Sequence, residues 1–405
     1  MDTLTKPISA PRRRTTADTV YPILLLVSVT HLLNDMMQSV IPAVYPLLKA
    51  KFGFSFAQIG LITLVFQMTS SILQPFVGRY ADRHPRPYSL AAGMCFTLAG
   101  LFALALAPGF APILLAVALI GWGSSIFHPE SSRVAQLASG GRKGLAQSIF
   151  QVGGNAGSAF GPLLAALVVI PYGQTSIMWF APAALLAIGI LLRIGNWYKR
   201  QLNAATAAPV TATAAAAELP RRKIRRALLI LTVLVFSKYF YIACMTNYFT
   251  FFLMDKFAFS VQDAQYSLFA FLAASAAGTV IGGPLGDRIG RKYVIWGSIL
   301  GAAPFALMLP YAGSGSAVAL AILVGLIISS AFSAIVVYAT DLIPGRVGMI
   351  AGLFFGLMFG LGGLGSAFFG WLADRTSIEF IFRVSALLPL MGIITGFLPD
   401  VERKR

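Results

Sequence analysis

The sequence predicts an all-α membrane protein: twelve transmembrane helices in two six-helix bundles related by a pseudo-twofold axis. Three observations carry this. Of 405 residues, 57% are hydrophobic and only 11% charged, with a mean hydropathy of +0.78; a soluble domain carries roughly 25% charged residues, so this chain cannot cover a water-facing surface. Apolar runs of about twenty residues, enough to cross about 30 Å of hydrocarbon, recur along its whole length. The second half also repeats the first. Gly78-Arg79-Tyr80-Ala81-Asp82-Arg83-His84-Pro85-Arg86 returns as Gly283-Pro284-Leu285-Gly286-Asp287-Arg288-Ile289-Gly290-Arg291, and Asp82 and Asp287 are 287 − 82 = 205 residues apart. The same offset lays Lys51-Phe52-Gly53-Phe54-Ser55 on Lys256-Phe257-Ala258-Phe259-Ser260.

In order, the spans lie near residues 22–48, 57–78, 89–107, 111–135, 144–170 and 175–197. After a polar Ala/Thr/Pro-rich stretch they resume near 225–254, 264–285, 291–311, 315–341, 347–373 and 377–398. The division that follows is an arm (1–21), an N-terminal bundle (22–198), a linker (199–224), a C-terminal bundle (225–398) and a tail (399–405). With a cytoplasmic amino terminus, only Lys49, Lys51, Lys256 and Arg375 fall in the outer loops. The basic loop and terminal residues, from Lys6 to Arg405, fall inside. Lysine and arginine bias in short loops sets orientation, so both termini and the linker are expected in the cytoplasm.

The net charge of +17 would suggest nucleic acid in a soluble chain. Here it sits between apolar runs and reports orientation, so lipid is the expected surroundings and nucleic acid is excluded as a partner. Cys95 and Cys244 lie in separate apolar runs and supply neither a disulfide framework nor metal spacing. A cleaved signal peptide is not expected, because the first span carries His31, Asn34 and Asp35 and lacks a small-residue cleavage site. No cofactor or metal is expected.

A duplicated, hydrophobic, twofold architecture is the signature of a secondary transporter. The repeated Gly-x-x-x-Asp-Arg-x-x-Arg string closes a two-helix turn on the inner side. Its glycine lets helix backbones approach, and its aspartate can accept from free amides at a neighbouring helix start. Gly78, Asp82, Arg83, Arg86, Arg133, Gly283, Asp287, Arg288 and Arg291 are therefore expected to form a conformational latch; the plainer reading is a pair of solvated basic loops.

Ionisable groups inside spans point to function, because a charge at mid-bilayer costs at least ~2.5 to 3.5 kcal/mol and needs a wet cavity or a partner. In the first span His31, Asn34, Asp35 and Gln38 share one helical face, about 14 to 25 Å from the inner end. Asp35 is the leading proton carrier, with His31 as its modulator; a merely structural pair is the alternative. The fourth span ends Phe127-His128-Pro129-Glu130-Ser131-Ser132-Arg133, where Glu130 and Arg133 either neutralise each other or take part, with His128, in handling protons or substrate. Gln67 in the second span, and Gln151 and Asn155 in the fifth, suit the polar lining of a central cavity or ordinary helix-to-helix bonds. In the seventh span Lys238, flanked by Tyr239 and Tyr241 and roughly 18 Å deep, is either a contact for an anionic substrate or Asp35's ion-pair partner; Asn247 and Tyr248 extend that lining.

The repeated latch string resembles the signature loop of the major facilitator superfamily. Its second copy keeps the pattern and its first departs at His84-Pro85. Gly157-Ser158-Ala159-Phe160-Gly161-Pro162 resembles that superfamily's antiporter motif, with simple helix packing as the competing account. More narrowly, HLLNDMMQS, FHPESSRVAQLASGGRKGLAQSIFQVGGN, SKYFY, GRKYVIWGSILG and FLPD resemble the fosmidomycin resistance family of bacterial inner-membrane efflux transporters, from about His31 to Asp400. That resemblance implies twelve spans, proton-driven export and a phosphonate antibiotic as substrate. The superfamily's usual arginine of the fourth span is replaced by Val117, which shifts proton handling to Asp35, His128 and Glu130.

The expectation is thus a monomeric proton-coupled antiporter, not an enzyme, that exports a small polar or anionic solute. A symporter or uniporter for a metabolite on the same fold is the first rival. A membrane-embedded enzyme using His31 with Asp35, or His128 with Glu130, is weaker because no nucleophile motif accompanies them. A transporter-like sensor would bind without flux.

Overall fold

The computed structural model describes residues 18–205, 220–343 and 347–399, leaving out several side chains within them, those of Arg79, Asp82, Arg83, Asp287 and residues 347–352 included. The side chains of the expected latch residues Asp82, Arg83 and Asp287 therefore lie outside the described residues. So do the arm to residue 17, the middle of the linker and the end of the tail.

All regular structure among the described residues is helical. Among the described residues twelve helices are long and apolar enough to span: α1 (Tyr21–Phe52), α2 (Phe56–Gly78), α3 (Ser89–Leu106), α4 (Phe110–Leu137), α5 (Leu145–Tyr172), α6 (Gln174–Asn203), α7 (Arg221–Phe257), α8 (Val261–Gly286), α9 (Arg291–Tyr311), α10 (Ser314–Ala339), α11 (Leu353–Arg375) and α12 (Ile378–Phe397). The basic run Arg221–Arg226, read above as linker and bundle edge, is the opening of α7.

Local chemistry sets the ends. Pro22 occupies the first turn of α1, where its missing N–H is not needed. Pro42 precedes a break at Val44, and the helix ends at Gly53 with φ 67°, a left-handed cap that glycine adopts without steric cost. A capping box starts α2: Ser55 Oγ accepts from the Gln58 N–H at 3.2 Å and Gln58 Oε1 from the Ser55 N–H at 3.0 Å. In α8, Ser260 Oγ accepts from the Asp263 N–H at 3.0 Å. The two serines are 260 − 55 = 205 residues apart, so the sequence repeat is a repeated helix start.

Packing obeys the same symmetry. In the first half α1 packs on α5 and α6, α4 on α2 and α3, and α3 on α6; in the second half α7 packs on α11 and α12, α10 on α8 and α9, and α9 on α12. Each pair maps onto its partner by adding six. The halves meet along α2 with α11 and along α5 with α8, which exchange under the same operation.

The α2–α11 seam is a wedge. A methyl built on Gly60 would meet Ser366 O at 2.5 Å, on Gly363 it would meet Gln67 Cβ at 2.9 Å, on Gly360 Met68 Cε at 3.4 Å, and on Gly356 Ser71 O at 3.7 Å. The helices touch backbone to backbone at the end carrying Lys49 and diverge toward the end carrying the basic loops. At that wider end Gly78 faces only Pro129 Cβ, at 3.8 Å, and nothing crowds Gly283. Neither latch glycine makes a close approach in this conformation.

Candidate functional site

The divergence leaves a cavity of about 240 Å³ between the halves. Its floor lies at the Lys49 end and is a hydrogen-bonded chain across the seam: Tyr45 and Thr63 hydroxyls 2.5 Å apart, and Thr63 donating to Asn247 Oδ1 at 2.6 Å. Because Thr63 donates onward, Tyr45 is the donor to it. Beside this chain Gln265 Nε2 of α8 donates to the Ala43 carbonyl of α1 at 2.7 Å.

Asp35 lies on the cavity wall with both oxygens engaged. His31 Nε2 stands 3.2 Å from Oδ2 and His128 Nε2 3.5 Å from Oδ1, while Asn34 Nδ2 donates to Oδ1 at 3.0 Å. The other nitrogen of each imidazole is committed to backbone: His31 Nδ1 lies 2.8 Å from the Phe150 carbonyl and His128 Nδ1 3.0 Å from the Ser124 carbonyl. A carbonyl only accepts, so each Nδ1 carries a hydrogen. Each Nε2 then faces carboxylate oxygen either with a proton between them or lone pair to lone pair. Chemically the cluster can hold protons, up to one on each side of a single carboxylate. The three ligand atoms lie within 4.8 Å of one another, a spacing that suits a cation as well as protons.

The two sides differ in access. His31 is 2% exposed, stacked on Phe150 at 4.0 Å and backed by Gly154, where any Cβ would strike its ring. Three glycines of α5, the last two within the string that resembles an antiporter motif, are what bring α1 this close: Gly153 sits on the Ser28 carbonyl, Gly157 on that of Leu32 and Gly161 on Ser39. His128 is 15% exposed and Asp35 17%, both on the cavity.

Of the residues the sequence singles out, Asp35, Gln38, Gln67, His128, Tyr239 and Asn247 line the cavity. Ser124 ties several together, receiving a bond from Ser70 at 3.0 Å and reaching Gln38 Oε1 at 3.3 Å and His128 Nδ1 at 3.2 Å. Gln38 Nε2 and Gln67 Oε1 are buried without a hydrogen-bond partner, polar atoms free for a solute or water. Asn34 is buried behind the wall, and Gln151 bonds Asn155 within α5 at 3.2 Å. Glu130 is buried away from the cavity, 3.6 Å from Arg133, which also reaches the Gly78 carbonyl at 3.3 Å; this group ties α4 to the end of α2.

Lys238 departs from one expectation. It does not pair with Asp35, whose partners come from α1 and α4. Lys238 and Tyr241 are buried in the C half outside the cavity lining, and among the described residues the Lys238 ammonium has no hydrogen-bond partner, the rings of Tyr239 and Phe332 lying 5.5 and 5.8 Å away. Tyr248 donates to the Ser366 carbonyl at 2.7 Å and belongs to the closed seam. Tyr45, Thr63, Ser70 and Ser124 carry the lining but were not legible, since hydroxyls in a span bond their own helix as readily.

Comparison with known proteins places this geometry. The Major Facilitator Superfamily profile matches residues 27–260 and 239–405. The chain is 57% identical over 400 residues to the fosmidomycin resistance protein of Escherichia coli (strain K12), covering 98% of each. It is 42% identical over 403 residues, 98% of each, to the uncharacterized MFS-type transporter YfnC of Bacillus subtilis (strain 168). Among solved structures, a bacterial homolog of the human lysosomal transporter Spinster, inward-facing and occupied, superposes with a TM-score of 0.72 at 15% identity over 94% of each chain. The nucleoside transporter NupG superposes at 0.70 and 14% identity, over 93% of this chain and 98% of its own. At those identities the structures speak to the fold alone.

Proposed function

The chain belongs to the Major Facilitator Superfamily, and from that premise we propose that it is a proton-coupled efflux antiporter exporting a small polar or anionic drug such as fosmidomycin. The observation that carries the coupling is a lone carboxylate held between two imidazoles on the wall of a cavity shared by two bundles. The likeness to the fosmidomycin resistance protein supports the cargo. Lysine and arginine bias supports a bacterial plasma-membrane orientation with both termini cytoplasmic, which makes the Lys49 end the outer one and this conformation inward-facing. The carrier works as a monomer.

Antiport requires that proton and cargo exclude one another. The proton between Asp35 and His31 is walled in, whereas the one between Asp35 and His128 faces the cavity. A hydrogen-bond donor on the cargo takes the cavity-facing oxygen of Asp35 and releases that proton inward. After reorientation and release outside, a proton returns to the same oxygen. Each charge carried inward through 100 mV supplies ~2.3 kcal/mol, roughly a fifty-fold solute gradient. Gln38 and Gln67 supply unpartnered groups for the cargo, and Lys238 is kept for an anionic group that reaches α7 in another conformation.

One observation favours symport as a second reading. Among the described residues the cavity lining contains no lysine or arginine, so an anion meets positive charge there only when His128 is protonated, and proton and anion then bind together. Everted vesicles separate the two. With an acid-loaded lumen, added cargo releases protons under antiport, whereas symport into the lumen acidifies it further.

A further inference from the structure

The string Gly-x-x-x-Asp-Arg occurs a third time, as Gly370-Trp371-Leu372-Ala373-Asp374-Arg375. This copy closes α11 at the Lys49 end, opposite to the two in the basic loops. Here the parts of the string do visible work across the seam. Gly370 lets α11 rest on the Phe56 carbonyl of α2, where no Cβ fits. Asp374 Oδ1 then accepts from the Phe56 N–H at 2.8 Å, and Oδ2 from the Ala57 N–H at 2.7 Å.

These are the first amides of α2, two of the donors that every helix start leaves without an intrahelical partner. The capping box of α2 takes the neighbouring ones, at Ser55 and Gln58. The start of a helix in one half is thus completed by a carboxylate from the other. A negative charge there also meets the positive end of the helix dipole and lies in Coulombic reach of Lys49, whose ammonium caps the Phe54 carbonyl at 2.6 Å. The twofold-related position is weaker. Gln262, 262 − 57 = 205 residues beyond Ala57, donates a neutral amide bond of 3.2 Å to the Ala166 carbonyl of α5.

We infer that Asp374 is the latch of the outer gate: its ionised carboxylate, seated on the start of α2, holds the cavity shut at the Lys49 end, and its release accompanies opening on that side. The inference rests on the efflux reading above, but its own readouts are labelling and distance, with transport measured separately.

In a Cys95→Ser, Cys244→Ser background, Ser158→Cys places one thiol on the cavity wall. A membrane-impermeant maleimide applied to intact cells reports opening at the Lys49 end. Asp374→Asn keeps the shape and removes the charge, and it raises the labelling rate about five- to thirtyfold, the population change that follows loss of a charge-assisted bond. Glu379→Gln, at the same end but in an ion pair confined to the C half with Arg383 at 2.7 Å and Lys256 at 3.5 Å, leaves the rate unchanged. Spin labels on Gly109→Cys, in the α3–α4 loop, and Tyr311→Cys, at the end of α9, in opposite halves at this end, give a second readout that does not depend on maleimide labelling: Asp374→Asn shifts their distance distribution to longer values. Labelling and distances equal to the parent's overturn the latch. A carrier that labels as expected yet moves no solute keeps the latch and removes the efflux reading; one that transports normally while labelling is unchanged removes the latch alone.

Discussion

Asp35→Asn tests the coupling most directly. The parent carboxylate presents two equivalent oxygens to Nε2 of His31 and His128, at 3.2 and 3.5 Å. The amide presents one oxygen and one nitrogen, so one imidazole gains a fixed donor and the other faces an oxygen that cannot take up a proton. The exchangeable proton between Asp35 and His128 is lost while the volume of the site is kept. If one charge per cycle drives export, the variant forfeits the roughly fifty-fold gradient that ~2.3 kcal/mol supports at 100 mV. Everted vesicles energised to that potential, with labelled fosmidomycin outside, should show accumulation falling toward onefold. Counterflow between preloaded and external drug, which needs reorientation of the loaded carrier but no net proton movement, should stay within about threefold of the parent. Energised accumulation equal to the parent's would refute the assignment, and loss of both activities would show Asp35 to be structural.

Three further outcomes follow from the same geometry. Gly154→Ala drives a methyl into the His31 ring; overpacking of that kind costs about 1 to 3 kcal/mol, and coupled efflux should fall at least tenfold while the α8–α10 contact stays intact, measured by thermal melting and vesicle flux side by side. Lys238→Met replaces an unpartnered buried amine with an apolar chain of similar length, so thermal stability should hold or rise; uptake into everted vesicles should weaken for anionic compounds more than for neutral ones, and equal loss for both would make the lysine structural. Stripping divalent ions with EDTA should leave proton-coupled flux within twofold of the untreated rate; a loss restored by added zinc would assign the His31, Asp35 and His128 ligand atoms to a cation instead.

Much of the fold was legible because the bilayer imposes it. An apolar run has one way to satisfy its backbone in lipid, so run length and spacing gave the spans, and the 205-residue repeat gave the symmetry that Ser55 and Ser260 now display. The site was half legible. Asp35 stands out as a carboxylate deep in an apolar run, and His31 is four residues away on the same face. His128 belongs to α4, and only the seating of α1 against α4 and α5 brings its ring to the carboxylate. Charge and depth alone point to Lys238 as a substrate contact, with pairing to Asp35 as the alternative, but depth says nothing about which face of α7 turns to the cavity. The string Gly370 to Arg375 is plain in the sequence; its place at the sparsely charged end gives no reason to read it as a latch until α2 is seen to start beneath it.

The placement of His31, Asp35 and His128 constrains how the proposed proton coupling can drive motion. His31, Asp35 and His128 all belong to the N half, on α1 and α4, and the glycines of α5 fix α1 through backbone contacts. A rigid rocking of the halves therefore leaves the cluster intact, and protonation cannot act by assembling or dismantling it. It must act where the cluster touches the other half. The Phe359 ring of α11 lies 5.8 Å from the His128 ring, on the same α2–α11 seam that Gly356 and Gly360 line. An imidazolium attracts an aromatic face more strongly than neutral imidazole does. On the proposed coupling, proton loss from His128 would loosen a contact at the wide part of the wedge and gain would tighten it, which would link the charge on Asp35 and His128 to the opening of the seam without any rearrangement inside the N half.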